Sequence, residues 1–195
     1  MPLARRRPRW RPLGAAALLL MLTGAGCSNA VGHGDDSSRA RSPRPTATVL
    51  GVDEARKKAK TVSGQVLDLI DIQAGEVTEP GPSIAPCGQD PDHLYRTVHP
   101  WSVRGVSEDE LKAGFQRLRA GLPGKGWKIV QYGPNKSPSK TLELTADSRS
   151  EPYSVNAELW VSNPATGAEE DPKILLNIVS GCRRAPAGTD LSTSY

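Results

Sequence analysis

Apolar residues along this chain fall into groups, and the spacing inside each group identifies an element. Residues 13–22 form one unbroken apolar run, Leu-Gly-Ala-Ala-Ala-Leu-Leu-Leu-Met-Leu, shorter than the ~20 residues a membrane-spanning helix needs. Residues 28–48 carry almost no bulky apolar side chain and cannot bury enough surface to fold. From residue 50 to 74 the spacing changes: Val52, Ala55, Ala59, Val62, Val66 and Leu69 recur at steps of three and four, the stripe of an amphipathic helix. Asp53 and Glu54 stand four places before Lys57 and Lys58, so the basic cluster at 56–60 reads chiefly as the solvated face of that helix, with a phosphate- or lipid-headgroup role as the alternative. Gly75 and Pro80-Gly81-Pro82 end it.

A loop is expected over 76–93 and a strand over 94–103, with Pro100 restricting that strand to an edge or a bulge. Ser107-Glu108-Asp109-Glu110 has the form of a capping box, and its three acids suit the positive end of a helix. Leu111, Phe115, Leu118 and Leu122 supply the apolar stripe, and Pro123-Gly124 stops the helix. Period-two alternation then marks four strands. Trp127, Ile129 and Gln131 alternate with Lys128, Val130 and Tyr132; Leu142, Leu144 and Ala146 with Glu143 and Thr145; Tyr153 through Val161 with Ser154, Asn156 and Glu158; and Ile174, Leu176 and Ile178 with Leu175, Asn177 and Val179.

The order helix, strand, helix, four strands predicts an α+β fold. An antiparallel four- to five-stranded sheet is packed on one face by two helices, with the last four strands in a meander and one disulfide. The chain divides into residues 1–26, a lipoprotein signal peptide; 27–49, a disordered tether; 50–184, a single α+β domain; and 185–195, a flexible tail. The tether would span roughly 25 Å on average. Its Arg39, Arg41 and Arg44 could each add about 1 kcal/mol of attraction to an anionic membrane, or be merely solvated.

The N-terminus has three parts in the order of an export signal: Arg5, Arg6, Arg7, Arg9 and Arg11, then the apolar run, then small residues 23–26 before Cys27. Leu22-Thr23-Gly24-Ala25-Gly26-Cys27 resembles a lipobox, at which the cysteine is acylated and becomes the mature N-terminus. Gly24 stands where that pattern usually has Leu, and the competing reading is a soluble secreted protein with an incidental cysteine. Arg6-Arg7 does not make a good twin-arginine signal with Pro8-Arg9-Trp10 after it. Charge changes meaning accordingly. Of 25 basic and 21 acidic side chains, residues 1–26 hold five basic and no acidic ones, leaving 20 against 21 in the remainder. The basic excess is no argument for nucleic-acid binding.

With Cys27 lipidated, Cys87 and Cys182 are the remaining cysteines, and an exported chain lives where disulfides persist. Their pairing would tie the entrance of the domain to its exit. Two free or metal-bound thiols are the alternative.

A cysteine before a strand, a capped helix, the Gly126-Trp127-Lys128-Ile129 strand start, a meander and a final strand running into Val179-Ser180-Gly181-Cys182 resemble small actinobacterial, streptomycete-type lipoproteins of unknown function. The resemblance covers about residues 50–184. It implies a cell-envelope address and a compact α+β domain, and it brings no activity, ligand or catalytic residue with it.

Searching for chemistry excludes more than it finds. Gly121-Leu122-Pro123-Gly124-Lys125-Gly126 has the wrong spacing for a phosphate loop and follows a helix rather than a strand. There is no Gly-x-Ser-x-Gly elbow and no His-Glu-x-x-His motif. Cys87, His93 and His99 match no structural zinc pattern. Glu169-Glu170-Asp171 lacks the alternating ligands of a calcium loop. No cofactor or metal is expected. Trp160 and Tyr132 are candidate binding residues, since an aromatic on an exposed sheet face anchors a partner, although core packing explains Trp160 as well. The expected function is a membrane-anchored extracytoplasmic lipoprotein whose domain binds an envelope protein, glycan or lipid without catalysis. The alternatives are a small envelope hydrolase or transferase using His93 or His99, with Asp90 or Asp92 orienting the His93 imidazole, and a purely structural subunit.

Overall fold

The computed structural model describes residues 47–78, 80–162 and 171–193. The signal segment, Cys27, the tether up to residue 46 and the Glu169-Glu170 pair lie outside them. Ten named helices and strands follow one another: α1 (Val52–Ile70), β1 (Glu76–Thr78), β2 (Ser83–Pro86), β3 (Leu94–Arg104), α2 (Glu108–Gly121), β4 (Trp127–Pro134), β5 (Leu142–Ser148), β6 (Tyr153–Trp160), β7 (Lys173–Ser180) and β8 (Arg183–Arg184). All strand pairs are antiparallel, in the order β1-β3-β7-β6-β5-β4, with β2 and β8 also on β3. The fold is thus the expected α+β sheet with two helices and one disulfide, and the meander β4 to β7 is intact. The strand count is higher than expected because three short strands, two of them in the segment read as loop, add to β3. Among the described residues no helix is long and apolar enough to cross a membrane.

β3 is interior rather than an edge. One side pairs with β7 and β8, the other with β1 and β2. Pro100 is tolerated because pairing on the second side stops where Val98 faces Ser83 of β2 and resumes where Ser102 faces Thr78 of β1. A residue without an N–H is accommodated where the ladder is already broken. The free sheet edges are blunted similarly: β1 and β2 are short, and β4 carries a bulge between Ile129 and Gln131.

Both helices lie on one face. The sheet contributes Trp101, Val103, Leu144, Ala146, Val155, Ala157, Ile174, Leu176 and Ile178 to the core, and the helices add Ala59, Val66, Ile70, Leu111, Phe115 and Leu118. α2 leaves the end of β3 and returns the chain to β4 at the far edge. Ser107 Oγ accepts from the Glu110 N–H at 3.2 Å, as the sequence indicated. The Glu110 carboxylate instead pairs with Arg117 at 2.8 Å. Arg117 also donates to the Ile70 and Asp71 carbonyls at 2.9 and 3.0 Å, capping the end of α1 from the second helix. The helices meet closely at Gly114 and Gly121, where a Cβ would fall 2.8 Å from Ile72 and 2.7 Å from Leu69.

The disulfide joins Cys87, just after β2, to Cys182, between β7 and β8, with Cα atoms 6.2 Å apart. A smaller cluster of Ala55, Ile84, Tyr95, Ala185 and Leu191 forms beside the main core. Ala185 and Leu191 therefore correct the expectation of a flexible tail from 185: both are buried, and the Ala185 N–H bonds to the His93 carbonyl at 2.9 Å. Ahead of α1, Leu50 N–H donates to Arg184 O and Arg184 N–H to Thr48 O, so Thr48 and Leu50 are tied to the last short strand.

Candidate functional site

The sheet face opposite the helices is polar and ordered by register. Reading Cα partners across it, one row runs Trp160, Lys173, Arg104, Glu76; the next Gly133, Glu143, Glu158, Leu175, Ser102, Thr78; the next Gln131, Thr145, Asn156, Asn177, Pro100. Directly opposed residues are close enough to interact. Two of these pairs set like charges against each other, Glu143 with Glu158 and Arg104 with Lys173. Each is offset by its neighbours. Asn156 Nδ2 donates to Glu143 Oε1 at 2.7 Å, and Trp160 Nε1 donates to Glu158 Oε2 at 2.9 Å. Arg104 pairs with Glu76 at 3.5 Å and Lys173 with Asp171 at 3.7 Å. Lys173 Nζ also stands 4.9 Å from the Trp160 ring centroid. The result is a polar plane of carboxylates, amides and hydroxyls, with acids in slight excess over bases in these rows and one half-buried indole at its margin. The Asn177 side-chain oxygen on this plane has no hydrogen-bond partner among the described residues.

The two aromatic candidates are not brought together. Trp160 belongs to this outer face. Tyr132 lies on the helix face, where its hydroxyl accepts from Gln116 at 3.1 Å and the Arg119 guanidinium covers its ring at 4.0 Å. Simple alternation puts Tyr132 with Lys128 and Val130, opposite Trp127. The bulge at Val130 inserts a residue, so that Ile129 faces Ala146 and Tyr132 faces Leu144, both on the core side.

The histidines separate likewise. His99 is buried on β3, with Nδ1 2.7 Å from Ser63 Oγ on α1, and both residues border a cavity of about 110 Å³. No local pattern marks this pair: Ser63 stands beside the apolar stripe of α1, on its buried side, at a position periodicity alone would fill with a hydrophobe. A cavity of that size holds a few waters and not an ester or peptide substrate. His93 is exposed, with Nδ1 2.8 Å from Oδ1 of Asp90, one of the two carboxylates flanking Pro91 in this Asp- and Pro-rich turn. That bond holds the Asp90 carboxyl below the usual carboxylate range, and Arg184 at 3.4 Å helps. A general base acts on a proton donor within hydrogen-bond reach. No hydroxyl or thiol is hydrogen-bonded to His93 among the described residues. Cys87 is committed to its disulfide, and no group of three or more metal-ligating side chains occurs among the described residues.

Compared with known proteins, the chain matches no family model, no curated protein and no solved structure.

Proposed function

We propose that this chain is an exported lipoprotein, acylated on Cys27 at the outer face of the cytoplasmic membrane, whose domain binds a glycan of the cell envelope on its outer sheet face. The export signal and lipobox-like residues support the address, as does a disulfide suited to an oxidising compartment. The resemblance to small actinobacterial lipoproteins points to the same place.

The observation that carries the binding reading is the outer face itself. It joins Trp160 to Glu158, Glu143, Asn156 and Asn177 on a plane with no excess of bases over acids. A polyhydroxylated ligand needs many donors and acceptors and one aromatic surface for its C–H faces. A nucleic acid needs a net positive stripe. A peptide docking by its apolar side chains needs more than Leu175, Val98 and Val179.

Cosedimentation of the full chain with isolated cell-wall glycan tests the reading. Trp160→Ala and Asn156→Ala should each reduce the bound fraction while leaving thermal stability nearly unchanged. A fraction unaltered by both substitutions, or sedimentation equal to that with a protein or lipid pellet, would overturn it. The anchor is tested separately: fatty-acid labelling should vanish in Cys27→Ala, and an unmodified Cys27 in the native protein would remove that part of the proposal.

A further inference from the structure

A second place in the molecule has a different chemistry. Between α1 and the ends of β4 to β6 lies a cleft of about 260 Å³. Lys58 enters it from α1. Lys125 enters from the short 3-10 turn that follows α2. Thr61, Gln65, Ser148, Ser150 and Tyr153 complete the polar lining, and Glu151 is the only acid on it. Neither lysine has an ion-pair partner among the described residues. The walls are fixed. Arg149 N–H bonds to the Gly126 carbonyl at 3.0 Å, tying the β5–β6 turn to the turn that carries Lys125. Gly126 itself sits at φ 83°, a conformation that favours glycine.

A buried cation, Arg183, stands next to this cleft's Tyr153 but itself lines a different cleft with Asp90 and Arg184. Arg183 is 8% exposed, and no carboxylate pairs with it among the described residues. Its Nε has no hydrogen-bond partner there. The guanidinium lies against the Tyr153 phenol, and Tyr153 is the residue that lines the cleft. A buried cation without a counter-ion is costly, and its field is weakly screened on the low-dielectric side. Two lysines against one carboxylate leave the cleft electropositive although the domain as a whole is nearly neutral.

We propose that this cleft binds a phosphate group. Lys58 and Lys125 supply the charge, and Gln65, Thr61 and Ser150 supply neutral donors. The volume admits a phosphoryl group with a small substituent. This site is separate from the outer sheet face and stands whether or not that face takes a glycan.

The test is a titration of the isotope-labelled full chain with inorganic phosphate at constant ionic strength, with chloride as the control anion. Amide shifts should be confined to residues 58–65, 125–127 and 148–153. Lys58→Gln combined with Lys125→Gln should weaken binding by about tenfold or more. Glu151→Gln should tighten it, a change of sign that mere loss of structure does not produce. Trp160→Ala should leave it unchanged. Equal shifts with chloride, or undiminished affinity in the folded double-lysine variant, would overturn the proposal. A soluble glycerophosphodiester run in parallel separates the sources: tighter binding of the diester identifies a lipid headgroup or phosphodiester polymer, tighter binding of the dianion a free phosphate or monoester.

Discussion

Ser63 Oγ and His99 Nδ1, 2.7 Å apart and both buried, form the polar link between the first helix and the central strand. Removing one partner of a buried hydrogen bond leaves the other desolvated. Ser63→Ala is therefore expected to destabilise the domain by about 1–3 kcal/mol, measured as the shift in urea midpoint at unchanged slope. A midpoint equal to that of the wild type would show that the bond contributes nothing.

The Cys87–Cys182 bridge closes a loop of 95 residues in sequence separation. In the chain-entropy account a loop of that length restricts the unfolded state by about 4–5 kcal/mol. Replacing both cysteines by alanine, which avoids an unpaired thiol, should lower stability by an amount of that order. Reduction of the native protein should do the same. If the reduced and oxidised forms unfold at one denaturant concentration, the bridge is not a stabilising staple.

Tyr95 is fully buried and its hydroxyl donates to the Leu50 carbonyl at 2.8 Å. Burial pushes its phenol up from the ordinary 10.0 to about 12, and Tyr153 is pushed upward for the same reason. The neutral form is the one the fold favours. Its contribution is complete below the unfolded value and is lost as pH rises from about 10 to about 12. Thermal scans across this range should show falling Tm, with a shallower fall in Tyr95→Phe. Parallel curves for the two proteins would rule out Tyr95 as the source.

Glu108 works in the opposite direction. Its carboxylate accepts from the Ser162 N–H at 2.9 Å and pairs with Lys112 at 3.2 Å, joining the start of α2 to the chain just past β6. These bonds, the Ser162 bond first, hold its carboxyl below the ordinary glutamate value. The associated stability is present above that ordinary value and is lost as pH falls through the folded one. Glu108→Gln should flatten the acid limb of the stability profile and leave the neutral region little changed. An acid limb as steep as that of the wild type would place the titrating group elsewhere.

Much of the molecule could be read from residue order because the signals are local. The α2 cap at Ser107 depends on four adjacent residues, and the strand faces of β5, β6 and β7 depend on a period of two that nothing interrupts. The Asp90–His93 contact spans three residues, yet residue order left Asp90 and Asp92 equally placed and favoured a plain turn. The outer face of the candidate site follows from that alternation too: once Leu144, Val155 and Ile178 point inward, Glu143, Asn156 and Asn177 must point outward.

The chain by itself determined the class of fold, the two amphipathic helices, the meander and the one pairing its two later cysteines can make, all from short-range period and a count of thiols. Only tertiary structure decided the rest. Pro100 sits in an interior strand because β1 and β2 part opposite it. Tyr132 turns under α2 because one bulged residue reverses the face of everything beyond it. Ser63 meets His99, Arg117 caps a helix other than its own, and Leu191 returns to the core. Each of these joins residues far apart in sequence, so its free energy depends on register and close approach. Neither exists until the sheet has formed.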